Sequence, residues 1–194
     1  MRVIDNFFKD PYTVRKLALK QSNYDPDPRF KWPGLRGVVL EPYRTIYNDY
    51  YQNFFDKSVE LSMMRFQTID RSWGEGCCHA DAGIKYTVIT YLNLECPTDS
   101  GTEVYDELSR SCQEYLNTFT SVKMDFFKSK RNFIDRFLYK KKVKKYNSKF
   151  MNPCVIPNKF NRTLIFDGER VHRAQNFFGT TLSNSRLTLI SFFK

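Results

Sequence analysis

The recurrence of short strand-like segments does most to limit what this 194-residue chain can fold into. LSMMRFQTI (61–69), KYTVITYLNL (85–94), TLIFDG (163–168) and RLTLISFF (186–193) are rich in β-branched and aromatic residues. Turn residues bound them at 71–76, 97–101 and Asp167-Gly168. Strands at this spacing, without intervening helices, favour an antiparallel sandwich or barrel.

The chain opens differently. A strand at Arg2-Val3-Ile4 precedes a helix in which Asp10 suits the capping position, Pro11 suits the first turn, and Val14, Leu17 and Ala18 recur at helical spacing. A breaker-rich loop follows at 25–37, and Ile46, Tyr50 and Phe54 give helical spacing to 43–55. These segments predict an N-terminal helical layer packed on a sheet. Residues from about 105 to 150 also read as helical, with Phe126/Phe127, Phe133/Ile134 and Phe137/Leu138 repeating among lysines. That stretch reads as an insertion between two strands of a single domain spanning 1–194.

The formal net charge of +10 resides almost entirely in the insert. Between Lys123 and Lys149 eleven basic and two acidic residues give +9, leaving +1 for the rest. The apolar runs are too short to span a bilayer, and charges fall where a signal peptide needs its apolar stretch. The chain therefore reads as intracellular and cytoplasmic, with no membrane partner. In that setting its five cysteines (Cys77, Cys78, Cys96, Cys112, Cys154) are expected as reduced, mostly buried thiols.

Only two histidines occur. His79-Ala80-Asp81 sets an imidazole and a carboxylate two apart, so on an extended segment both reach the same side. His172 follows the strand at 163–166 and its turn. Two imidazoles and one carboxylate leave coordination positions open, as non-haem iron(II) needs in order to take a co-substrate and oxygen. Both imidazoles must be neutral to bind, so metal affinity is expected to fall below about pH 6.

The final apolar strand carries one cation, Arg186, which is costly to bury unpaired. A dicarboxylic co-substrate resolves that cost, because its far carboxylate matches the guanidinium fork. Thr188, two residues on, faces the same side. The interval from His172 to Arg186 is expected to hold a turn and a return to the adjacent strand. Arg71, Trp73 and Glu75, in the loop before His79, are read as an ordinary turn packing its tryptophan or as residues at the mouth of the site.

The ordered series HAD, KYTVITYLN, SGTEVY, NRTLIFDGERVHRA, FG and SRLTLISFF resembles the 2-oxoglutarate/iron(II) dioxygenase superfamily. Within it the series is most similar to the prolyl-4-hydroxylase-like branch and its small relatives. The resemblance covers Leu61–Glu103 and Val155–Phe193, and more weakly 3–19. It implies a mainly β fold with flanking helices: a double-stranded β-helix (jelly-roll) core with N-terminal helices, to which this chain adds its basic helical insert. It implies an enzyme that couples decarboxylation of 2-oxoglutarate, to succinate and CO₂, with hydroxylation of a substrate by O₂. The branch also admits ascorbate as an auxiliary reductant.

By motif match His79, Asp81 and His172 would hold iron(II) and Arg186 would anchor 2-oxoglutarate. Tyr91 would hydrogen-bond the same carboxylate, or else be an ordinary core aromatic. The compact connection from HAD to YLN and the basic insert depart from the branch and leave the substrate open. Asp81 is intact, which speaks against the halogenating relatives. Three readings follow: a hydroxylase of prolyl or other protein side chains; an oxygenase acting on nucleic acid (through the basic insert) or on a free small molecule; and a non-enzymatic basic binding module. The run from Lys140 to Lys149 is also explained by a solvated helix face.

Overall fold

Along its last strand the chain alternates between two environments. Leu187, Leu189 and Phe193 join an apolar cluster on one face of a sheet, while Arg186, Ile190 and Phe192 line a cleft on the other. A period of two sends alternate side chains to opposite faces. With both faces covered, nearly the whole strand is buried.

The structure is a computed structural model that describes residues 1–21, 24, 33–56, 58–105, 116 and 133–194. In chain order the elements are β1 (Arg2–Ile4), α1 (Pro11–Lys20), β2 (Leu35–Val38), α2 (Tyr43–Gln52), β3 (Leu61–Ile69), a 3-10 turn (Arg71–Trp73), β4 (Tyr86–Tyr91), β5 (Thr102–Val104), α3 (Phe133–Asn147), β6 (Cys154–Ile156), β7 (Thr163–Asp167), β8 (His172–Ala174) and β9 (Arg186–Phe193). Among the described residues they form a six-stranded sheet, β1-β7-β4-β9-β3-β2, and a three-stranded sheet, β6-β5-β8. Every pairing is antiparallel.

The N-terminal layer packs on the large sheet as its pattern predicts. Asp10 accepts a hydrogen bond from the Thr13 N–H at 3.1 Å, capping α1. Val14 and Ala18 of α1, Tyr47 and Tyr51 of α2, and Phe7 and Phe8 join Val88, Leu187 and Leu189 in one cluster. On the other face Ile89, Tyr91, Leu164 and Phe166 of the large sheet meet Val104 and Ile156 of the small one. The molecule is thus mainly β with flanking helices.

Four expectations need correction or bounding. β8 and β9 lie in different sheets, so the chain from His172 to Arg186 crosses between sheets and does not return to an adjacent strand. β4 ends at Tyr91, because the Asn93 side chain takes over the ladder: it accepts from Leu187 N–H at 2.8 Å and donates to Ser185 O at 2.7 Å. α2 stops at Gln52, where Phe54 and Phe55 turn back through N–H bonds to Tyr51 O and Gln52 O. Of the insert, 106–115 and 117–132 lie outside the described residues, including Cys112, Phe126, Phe127 and Lys123 to Arg131. In α3 the apolar positions Ile134, Phe137 and Leu138 are exposed (65%, 49% and 46%), and the packed face is Val143, Tyr146 and Asn147. The helix meets the protein through its C-terminal half, so its N-terminal periodicity does not mark a core.

The remaining cysteines are free thiols: Cys77 and Cys78 buried, Cys96 half-buried, Cys154 exposed. No described helix is long and apolar enough to cross a membrane.

Candidate metal centre

The segment carrying His79 and Asp81 runs beside β8 without forming a regular strand. Isolated bridges link Glu75 with Asn176 and His79 with His172. Gly76 is required here, since a Cβ at this position would lie 2.8 Å from the Ala174 backbone. His79 and His172 exchange both backbone hydrogen bonds, at 3.0 and 2.9 Å, and Asp81 N–H donates to Gly168 O at 2.7 Å. Directly opposed residues project to the same face, so the two imidazoles meet with ring centroids 4.4 Å apart.

Backbone carbonyls orient both rings. The Nδ1 of His79 lies 2.8 Å from Cys77 O, and that of His172 lies 2.9 Å from Arg170 O. A carbonyl only accepts, so each Nδ1 carries a proton and each ring, when neutral, offers its Nε2 lone pair. Those lone pairs face Asp81: His79 Nε2 is 3.7 Å from Oδ1 and His172 Nε2 is 3.4 Å from Oδ2. One donor atom from each of the three residues falls within 4.8 Å of the others. Two metal–ligand bonds of about 2.1 Å set neighbouring donors roughly 3–3.6 Å apart, so the set fits one divalent ion with little adjustment.

Asp81 is buried, and among the described residues no lysine or arginine pairs with it. Its Oδ2 accepts from Thr87 Oγ1 at 2.7 Å. A buried carboxylate with two imidazole lone pairs and one hydroxyl around it calls for a cation. The donor set, two nitrogens and one oxygen on one side, is that of an iron(II) facial triad.

The same cleft is lined by Arg186, Thr87, Ile89 and Thr102, and by Pro33, Arg36, Gln67 and Phe177. Arg186 is 2% exposed and has no carboxylate partner among the described residues. Its Nε donates to Ser100 O at 3.4 Å, its Nη2 donates to Thr102 Oγ1 at 3.3 Å, and its guanidinium carbon sits 5.5 Å from the Tyr91 ring centre. Burial pulls its pKa below the ordinary value, and Tyr91 opposes that shift. Tyr91 stands behind the cleft wall: its hydroxyl donates to Thr102 Oγ1 at 2.6 Å, and burial pushes the phenol up. Thr188 shares the inner face of β9 with Arg186 and Ile190, and its buried hydroxyl has no hydrogen-bond partner among the described residues. Trp73 is packed in an apolar cluster, and Glu75 pairs with Arg173; neither lines the cleft.

Sequence reasoning missed Thr87, Thr102 and Asn147. Thr87 precedes Ile89 and Tyr91 on the inward positions of β4, a signal that period-two reading could have used. Thr102 lies within a recognised motif but had no role. Asn147, at the end of a lysine run, gives no sequence signal.

A family profile, described as a family of unknown function (DUF6445), matches residues 1–193. The chain belongs to this family. A search of curated proteins finds no match.

Several solved structures share the fold of this family member. One is a prolyl hydroxylase from Trichoplax adhaerens in complex with a peptide fragment of the hypoxia inducible factor oxygen degradation domain. It has a TM-score of 0.57 and 11% identity, over 99% of this chain and 82% of that one. HygX from Streptomyces hygroscopicus, with nickel, 2-oxoglutarate and hygromycin B bound, has a TM-score of 0.59 and 11% identity, over 98% and 80%. The α-ketoglutarate-dependent epimerase SnoN from nogalamycin biosynthesis has a TM-score of 0.54 and 10% identity, over 99% and 76%. At these identities the likeness is one of fold, and that fold is the one used by 2-oxoglutarate-dependent non-haem oxygenases.

Proposed function

We propose that this protein is an iron(II)- and 2-oxoglutarate-dependent oxygenase. The observation that carries the reading is the convergence of His79, Asp81 and His172 in one cleft with a buried arginine that lacks an anion among the described residues. The two antiparallel sheets are read as the walls of a double-stranded β-helix, with His79, Asp81 and His172 holding iron(II) between them. Iron with 2-oxoglutarate and O₂ supplies the oxidising power to hydroxylate a substrate, with 2-oxoglutarate leaving as succinate and CO₂.

The chain's own residues bind and orient. Arg186 receives the far carboxylate of 2-oxoglutarate, and the unpartnered Thr188 hydroxyl on the same face donates to it. Thr102 and Tyr91 hold the guanidinium from behind. Ile89 and Ile190 exclude water between the anchor and the metal. Thr87 fixes the Asp81 carboxylate so that its remaining lone pairs point at the ion.

The favoured substrate is a prolyl or other protein side chain, supported by the likeness to the hydroxylase solved with a peptide. A free small molecule is the second reading, supported by the equal likeness to HygX with hygromycin B. Anaerobic titration with iron(II) and 2-oxoglutarate is expected to raise a weak visible charge-transfer band, and admitting O₂ is expected to yield succinate. Iron-loaded protein that gives neither overturns the proposal. A one-oxygen mass gain on peptides of a proteome digest, or instead on small metabolites, separates the two substrate classes.

A further inference from the structure

Just before the metal segment reaches His79, its hydrogen bonding to β8 breaks step. Gly76 N–H donates to Ala174 O at 2.9 Å, and His79 N–H donates to His172 O at 3.0 Å. The flanking bridges Glu75–Asn176 and His79–His172 keep one register, so the ladder gains no residue but is distorted between them, and backbone groups there turn away from β8. The groups turned away from β8 are Gly76 C=O and Cys78 N–H. Both are buried, and buried backbone groups need partners.

One side chain supplies both partners. Asn147, the last residue of α3, donates from Nδ2 to Gly76 O at 2.8 Å and accepts at Oδ1 from Cys78 N–H at 3.0 Å. Its carboxamide stands where a neighbouring strand's peptide groups would stand. The carboxamide is buried, and the residues around it (Val143, Tyr146, Phe150) pack against Trp73, Cys77 and Cys78. The clamp bears on His79 directly, since the Cys77 carbonyl between the two bonded groups accepts from His79 Nδ1.

Resting on the iron-site reading above, we infer that Asn147 is a positioning residue for His79, and that the C-terminal half of α3 is a strut of the metal centre. Lys141, Lys142, Lys144 and Lys145 are exposed on α3, while its inward face shapes the imidazole that binds the ion. The role acts on ligand geometry ahead of any substrate.

Titration of the full chain with Co(II) alone, followed by its visible d–d absorption, tests this without turnover. Asn147→Ala is expected to weaken Co(II) binding about 10- to 100-fold, the range for residues that orient a ligand from behind. Val143→Ala removes packing from the same helix without touching the bonds to Gly76 and Cys78, and is expected to change binding by less than about threefold. Thermal melts first establish which variants are folded at the titration temperature. If Asn147→Ala is not, Asn147→Asp takes its place, because it keeps an acceptor for Cys78 N–H; its loss is expected to be smaller but still larger than that of Val143→Ala. Equal Co(II) affinity in the Asn147 variant and Val143→Ala overturns the inference. Failure of the wild-type chain to bind Co(II) overturns the iron-site reading instead.

Discussion

His79 and His172 are partners twice over, exchanging two backbone hydrogen bonds while their rings meet at 4.4 Å. The ladder that joins the metal segment to β8 therefore also sets the spacing of the two imidazoles. Carbonyls two residues earlier, at Cys77 and Arg170, fix which nitrogen each ring offers. Placing the proposed ligands in a backbone pairing sets their spacing before any ion arrives.

Arg186 is a buried cation without an anion among the described residues. Replacing it with methionine is expected to raise the melting temperature of the ligand-free protein, since an apolar group of similar volume escapes the desolvation penalty. The same variant is expected to lose 2-oxoglutarate affinity by roughly 30-fold or more, as truncating one partner of a buried charge pair costs about 2–5 kcal/mol. Calorimetry with and without metal separates the effects. Loss of metal and co-substrate in equal measure contradicts the anchoring role.

Thr188→Val makes a parallel test with opposite signs in the two states. Removing an unpartnered buried hydroxyl is expected to leave the free protein as stable or more so. If the hydroxyl meets the co-substrate, affinity for 2-oxoglutarate drops by about 1 kcal/mol, roughly fivefold. A variant with unchanged affinity removes Thr188 from the site.

Thr87 holds the Asp81 carboxylate at 2.7 Å. Thr87→Val keeps the shape of the side chain and deletes that bond, so Co(II) affinity is expected to fall about 10- to 100-fold. Thr87→Ser is expected to restore most of it. A valine variant with wild-type affinity shows that Asp81 is oriented by other means.

Asp5 ties the N-terminal strand to the β6–β7 connection. The Arg162 guanidinium, and then Lys159, hold its carboxyl well below the usual carboxylate range. A depressed carboxylate stabilises the fold above its unfolded pKa, and that contribution is lost as pH falls through the folded value. Asp5→Asn is thus expected to lower the melting temperature at neutral pH, with the gap to wild type closing as pH falls from about 4. The cluster is partly exposed, so the gap is small and shrinks further in high salt. A gap that widens on acidification refutes the assignment.

Local pattern made much of this protein legible. β-branched and aromatic composition bounded by turn residues marked β3 and β9 to the residue, because such side chains suit a strand packed on its faces. Asp10 and Pro11 marked the start of α1 through the needs of unpaired N–H groups. Having only two histidines, one of them in His-x-Asp, narrowed the candidate ligands, and a lone arginine in an apolar strand drew attention as a charge in need of a partner. Only the tertiary structure decided which sheet received Arg186, that Thr87 and Thr102 serve the site, and that Asn147 of a lysine-rich helix reaches the backbone before His79. These are contacts between residues remote in sequence. A periodicity reports which face of an element is buried, but what that face meets is fixed by how the sheets and helices pack.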